Sequence, residues 1–135
     1  MKIIFIFGLL ILSWKLYSQQ LSVSSTRDLD FGTVIQGQAP VRIPSSSNNS
    51  SNARFTVTGP ARTRYSLILP ASASLLHFPA GDSLSINNFT SSPNNLRLDN
   101  QGSQELSVGA TLQAIPLNQR GGNYAGSFTI EVIVN

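Results

Sequence analysis

Apolar residues alternate with polar ones along most of the chain after residue 27, and this pattern constrains the fold more than any other feature. A period of two places successive side chains on opposite faces of a β-strand. The clearest alternating row consists of Leu106, Val108, Ala110, Leu112 and Ala114. A second row near the C-terminus consists of Phe128, Ile130, Val132 and Val134. No segment after residue 27 has the period of an amphipathic helix, so the pattern predicts an all-β protein.

Clusters of Gly, Pro, Asn and Ser divide the alternating segments into about seven to nine short strands, which is typical of a Greek-key β-sandwich or a small barrel. Because each strand offers one apolar row, two sheets packed face to face are favoured. The turn residues predict two hairpins, residues 106–114 with 128–134 and 55–57 with 65–69, and two shorter strands, 75–78 and 84–89, joined through residues 79–82. The remaining short strands are expected at residues 28–35, 41–43 and 96–98.

The N-terminus has the features of a secretory signal peptide. Lys2 precedes an apolar run from Ile3 to Trp14, and Leu16 and Ser18 have the spacing that signal peptidase recognises. The run is shorter than the roughly 20 apolar residues of a transmembrane helix. We therefore predict cleavage after Ser18, a single domain over residues 19–135 and no stable membrane span after cleavage; an uncleaved N-terminal anchor is the alternative.

Charge and cysteine content narrow the function. Removal of residues 1–18 takes away both lysines and leaves seven arginines, scattered along the chain, against six acidic residues. A nucleic-acid-binding protein is expected to cluster its basic residues on one face, so no nucleic-acid partner is predicted. The chain has no cysteine and forms no disulfide, so packing and β-ladder hydrogen bonds must stabilise it.

The sequence offers no convincing catalytic, cofactor or metal site. Nucleophilic catalysis needs a base, and the single histidine, His77, lies in an alternating strand as an ordinary surface residue. The carboxylate pairs Asp28 with Asp30 and Asp82 with Asp99 lie at a strand start and beside turns, where Asp is common for conformational reasons. We therefore predict that the protein is not an enzyme. The polar stretch at residues 45–52 is expected to be a mobile surface loop.

Four segments carry a resemblance to a known family: Leu29–Val34, Phe55–Gly59, Leu106–Leu112 and Gly122–Val132. Together they resemble a family of small secreted bacterial proteins classed as a domain of unknown function. That family is similar to spore coat protein U domains and to the major subunits of Mat/Ecp and archaic chaperone-usher fimbriae. The resemblance implies an immunoglobulin-like sandwich that passes through the periplasm to the cell surface or the extracellular space.

The resemblance further implies a pilin-like structural subunit of a surface appendage, assembled by donor-strand complementation. Partners would then be further copies, other pilus subunits and a periplasmic chaperone. Residues 19–26 are the candidate donor strand, because Leu21 and Val23 alternate with serines. The candidate subunit-interface residues are Leu21, Val23, Phe128, Ile130, Val132 and Val134.

The alternative is a complete monomeric sandwich in which Leu21 and Val23 pair within their own chain. Such a protein would be a secreted adhesion or carbohydrate-binding module. An exposed aromatic cluster would favour this interpretation, and the aromatic residues concerned are Tyr65, Phe89 and Tyr124.

Overall fold

A computed structural model describes residues 2–6, 8–11, 16–77 and 81–135, with the backbone alone for residues 2–6, 8–11 and 16–19. All its regular elements are strands: β1 (Lys2–Ile6), β2 (Gly8–Ile11), β3 (Leu16–Gln19), β4 (Ser22–Arg27), β5 (Val41–Ile43), β6 (Ala53–Thr58), β7 (Tyr65–Ile68), β8 (Ser72–His77), β9 (Ser83–Ser92), β10 (Ser103–Leu112), β11 (Tyr124–Ala125) and β12 (Thr129–Val134). Within these ranges no helix is long and apolar enough to cross a membrane. Part of the predicted signal peptide, residues 1, 7 and 12–15, lies outside the described residues, as do residues 78–80.

The nine strands β4 to β12 form two sheets of unequal size. Seven are in one sheet, ordered β11-β8-β9-β10-β6-β4 with β5 beside β10, while β12 and β7 form the other. The all-β prediction is confirmed. The prediction of a plain immunoglobulin-like Greek-key sandwich needs correction, because the larger sheet curls into a half-barrel around the core and the smaller one covers only part of it.

The curl is associated with an irregularity in β10. On one side, residues Ser103–Val108 of this strand pair with β6 and residues Ala110–Leu112 pair with β5. On the other side, the register against β9 shifts between Gly109 and Thr111. A side chain at Gly109 would overlap the backbone of residues 43–44, so only glycine fits here. Such bulges bend a strand and increase its twist.

Neither of the two predicted hairpins forms, since β10 pairs with β5, β6 and β9 while β12 pairs with β7 in the other sheet, and β6 pairs with β4 and β10. The two shorter predicted strands correspond to β8 and β9, which pair antiparallel. The chain passes from one sheet to the other between β6 and β7, between β7 and β8 and between β11 and β12, so these consecutive strands lie in different sheets. Residues 41–43 form β5 as predicted, but residues 28–35 form no strand and Arg97 makes only an isolated bridge to Arg64.

Two apolar clusters fill the interior. The first lies between the two sheets and contains Leu21, Ala53, Phe55, Val57, Tyr65, Leu98, Leu106, Val108, Phe128, Ile130 and Val132. The second contains Leu84, Ile86, Ala110, Leu112 and Ile115. Leu29, Phe31 and Val34, from the irregular segment after β4, pack against this second cluster. An irregular segment therefore covers the part of the half-barrel that a second sheet would cover in a plain sandwich.

The last apolar row of the chain is divided between the two sheets. Strand β11 pairs with β8 in the larger sheet, and β12 pairs with β7 in the smaller one. Gly126 lies between them, and a side chain at this position would overlap the carbonyl oxygen of Ser74. The absence of a side chain lets the two backbones approach where the chain changes sheets.

We expect Gly126→Ala to destabilise the domain by about 1–3 kcal/mol, since backbone atoms must move to accept the methyl group. Gly121→Ala is the matched control, because a methyl group at Gly121 meets open space, and it should change stability by no more than about 0.5 kcal/mol. Urea unfolding of both variants measures the difference. Equal stability of the two variants would contradict the close approach at Gly126.

Candidate functional site

Strand β4 lies at one end of the larger sheet and, among the residues that the structure describes, pairs with β6 alone. In its register Ser22 lies opposite Thr58 and Val23 lies opposite Val57. Ser22 and Thr58 are exposed, whereas Val23 is half-buried and Val57 is fully buried. Strand β4 therefore follows the inside-outside alternation of β6, but it presents few apolar side chains of its own.

Leu21 provides most of the apolar attachment of this N-terminal segment. Its side chain is fully buried and lies with Leu98 over Gly59, where a methyl group would collide with Leu21 and crowd Leu98. Burying a leucine contributes on the order of 2 kcal/mol. Of the two side chains proposed for a donor strand, Leu21 lies in the core of its own chain and Val23 packs against the edge of that core.

Arg27 anchors the C-terminal end of β4. Its Nε donates to the carbonyl oxygen of Asn52 at 2.8 Å, and its Nη2 donates to the carbonyl oxygen of Asn49 at 2.6 Å and to Oδ1 of Asn52 at 2.5 Å. Asn52 is fully buried and its Nδ2 donates to the carbonyl oxygens of Pro44 and Ser46. The polar loop predicted to be mobile is thus tied at its end to β4 by a buried hydrogen-bond network.

The four C-terminal interface candidates point into the core of their own chain. Ile130 and Val132 are fully buried, Phe128 is 8% exposed and Val134 is half-buried. The Phe128 ring meets Phe55 edge-on, with the centroids 6.2 Å apart. These side chains hold the two sheets together, so any contact with another protein through β12 would use its backbone edge and outward-facing residues.

The outer edge of β12 is occupied by β1. The backbone of β1 runs parallel to β12, with Lys2 opposite Thr129 and Ile6 opposite Ile133. Strand β1 also contacts β4. A seam between β4 and β12, the edges of the two sheets, is thus filled by one strand. Sequence reasoning missed this seam because alternation identifies the buried face of a strand and not its hydrogen-bonding neighbours.

The residues considered for catalysis have structural contacts. The His77 ring packs against Tyr124 with centroids 5.3 Å apart, and its buried Nδ1 has no hydrogen-bond partner in the described part of the chain. Asp82 accepts a hydrogen bond from Nε of Arg120 at 2.9 Å. Asp99 accepts hydrogen bonds from the backbone amides of residues 101 and 103, which shapes a turn. Among the described residues, no group of three or more His, Asp or Glu side chains could hold a metal ion.

The three aromatic residues considered for ligand binding do not form an exposed cluster. Tyr65 is buried and its hydroxyl donates to Oε1 of Gln104; desolvation raises the pKa of the Tyr65 phenol well above its usual value. Phe89 packs against Phe128 with ring centroids 5.0 Å apart. The half-buried Tyr124 donates its hydroxyl proton to the carbonyl oxygen of Arg120 at 2.6 Å.

A cavity of about 210 Å³ is bordered by β8, β11 and the chain between β11 and β12. Phe31 and Tyr124 contribute aromatic surface to it and Asp28 contributes a carboxylate. It lies where the irregular segment after β4 crosses β8 and β11. This combination of aromatic and acidic groups has the chemistry of a small polar-ligand site.

A family model described as a domain of unknown function (DUF4402) matches residues 21–133. This match confirms the predicted resemblance to a domain-of-unknown-function family. No curated protein matches the chain, and no solved structure matches it. No named homologue supports the likeness to spore coat protein U domains and fimbrial subunits, which therefore stays a prediction.

We expect Asn52→Ala to destabilise the domain by about 2–4 kcal/mol, because it removes one of the three acceptors of the Arg27 guanidinium and leaves the carbonyl oxygens of Pro44 and Ser46 without their donor. The matched control is Asn48→Ala in the same loop, where the side chain is exposed and the change should be within about 0.5 kcal/mol. Thermal and urea unfolding measure both. A loss at Asn52 no larger than that at Asn48 would contradict the anchoring role.

Proposed function

Since the chain belongs to the DUF4402 family, whose function is unknown, we propose that it is a non-catalytic structural subunit of a bacterial surface appendage. In this proposal, subunits assemble by exchanging the N-terminal strand β4. The observation that carries the proposal is the position of β4, an edge strand near the N-terminus with one hydrogen-bonded neighbour in the described part of the chain.

The way β4 is attached makes exchange feasible. Four of its six residues are exposed, and its deep contact with the core comes from Leu21, just before the strand begins. Exchange of an identical element between copies restores the same ladder and the same buried contacts, so its net cost is small. Leu21 would then fill the cavity over Gly59 in the next subunit, and Val23 would lie opposite that subunit's Val57.

The contacts of Arg27 at the C-terminal end of β4 limit how much of the strand can exchange. Arg27 is held by Asn52, and the chain beyond it, residues 28–40, has no regular structure. A strand that leaves its own sheet needs a hinge, and the register shift between Ser25 and Arg27 supplies a break in the ladder before this anchor. The same proposal includes the likeness to fimbrial subunits and an immunoglobulin-like origin of the fold. It also includes secretion through the periplasm and a chaperone that protects the free edge of the sheet.

A monomeric adhesion or carbohydrate-binding module is the second candidate. The cavity lined by Phe31, Tyr124 and Asp28 favours it, because sugars bind through stacking on aromatic rings and hydrogen bonds to carboxylates. In this case β4 stays in its own chain. The two functions thus differ in whether β4 crosses between subunits.

Cysteine pairs test the exchange, because the natural chain has no thiol. Ser22 and Ser103 flank Thr58 on its two neighbouring strands and face the same side of the sheet. In the test variant, Ser22→Cys with Thr58→Cys, the oxidant is added only after assembly. Directly opposed residues have the separation that a disulfide needs. We expect a covalent ladder of subunits on a boiled, non-reducing gel, together with filaments in negative-stain microscopy.

The matched control variant, Thr58→Cys with Ser103→Cys, joins β6 to β10. Its disulfide should form within one chain, leaving a single monomer band whether or not filaments form. Filaments with a monomer band in both variants would rule out exchange of β4 but keep a structural subunit. Monomers without filaments would rule out the assembly proposal and direct attention to the cavity. Replacing Leu21 by a polar residue is less informative, since it would also destabilise the monomer.

A further inference from the structure

The outer edge of β12 is unusually poorly protected against pairing with another strand. Thr129–Val134 contains no Pro, Gly, Lys or Arg, and its only charged residue is Glu131. Soluble proteins commonly blunt their sheet edges with prolines, lysines or bulges, because an edge offers a row of unpaired backbone groups. β-branched residues, which favour the extended conformation, occupy five of its six positions. The sequence of β12 is thus that of a strand with neighbours on both sides.

The structure provides that second neighbour from the predicted signal peptide. Strand β1, with the sequence Lys-Ile-Ile-Phe-Ile, follows β12 in parallel over five residues and lies next to β4. Cleavage after Ser18, as the sequence predicts, would remove this strand. The seam between β4 and β12 would then be open along its length.

We infer that the outer edge of β12 is a strand-binding site which, in the processed protein, accepts an extended apolar segment of a partner protein. The orientation of β1 indicates that the segment runs parallel to β12, opposite Thr129–Ile133. Its chemistry follows from the strand now seated there, four of whose five residues are apolar. Main-chain hydrogen bonds would supply the affinity, as in other cases of strand addition. The inference rests on β12 and β1, and it does not require exchange of β4.

The test uses the secreted protein after its N-terminus has been established by intact mass. The probe is a synthetic peptide with the sequence of Lys2–Ile6 and added lysines at both ends for solubility. We expect the peptide to bind in fluorescence anisotropy and to slow amide hydrogen exchange in β12. A peptide with Ile4→Pro should bind at least about tenfold more weakly, because proline cannot donate to the ladder.

Two protein variants locate the binding. Ile133 lies between Ile6 of β1 and Ser66 of β7 in the register. We expect Ile133→Lys to weaken peptide binding by about tenfold, since a lysine on an edge strand opposes pairing. Ser66→Lys, which adds the same charge on β7, should bind the peptide as the natural protein does.

Protection of other strands, or equal binding of the proline peptide, would overturn the inference. If β12 is protected from hydrogen exchange without the peptide and this protection disappears on dilution, the occupant is a second copy of the chain. That result would overturn the assignment to a partner protein. The cysteine pairs report on β4 and the peptide reports on β12, so failure of one proposal is distinguishable from failure of the other.

Discussion

The two sheets are held together by the packing of their inward-facing apolar rows, and most other features of the structure depend on this contact. Phe55 of the larger sheet meets Phe128, which precedes β12, and Ile130 and Val132 complete the buried row. No disulfide is available to join the sheets, because the chain has no cysteine. Once β12 has turned this row inward, its backbone edge and its outward row are what remain for contact with another strand.

The unequal division of strands between the sheets follows from local backbone requirements. Gly109 allows the close approach that bends β10, and Gly126 allows the chain to leave the larger sheet between β11 and β12. Because only β7 and β12 face the seven-stranded sheet, part of the half-barrel must be covered by other segments of the chain. Leu29, Phe31 and Val34 provide it from an irregular segment, which is also the segment that follows β4.

The two proposals concern the same region of the molecule, the seam between β4 and β12. Strand β4 is at the edge of the larger sheet, β12 is at the edge of the smaller one, and β1 lies between them. Each edge lacks a neighbour on one side if the predicted signal peptide is removed. A donated strand could therefore replace β4, occupy the seam beside β12, or do both, and each case buries backbone groups that an isolated domain would leave to water.

The alternation of apolar residues was enough to identify an all-β domain and to predict that Phe128, Ile130, Val132 and Val134 share one face. It could not show which strands are hydrogen-bonded neighbours. The predicted pairing of β10 with β12 failed for this reason, since both rows are inward-facing but lie in different sheets. The sequence also did not predict that Asn52 is buried. A polar run does not indicate which carbonyl groups will surround the Asn52 side chain, or that the guanidinium of Arg27 will contact it.

The sequence by itself therefore determined the strand class, the buried face of most strands, the absence of disulfides and the family. The tertiary structure decided that seven strands curl into one sheet, that Leu21 lies in the core of its own chain, and that β4 and β12 border a common seam. The physical reason is that side-chain periodicity reports which way a strand faces. Its backbone donors and acceptors are the same for every sequence, so its neighbours are decided only when the whole core packs.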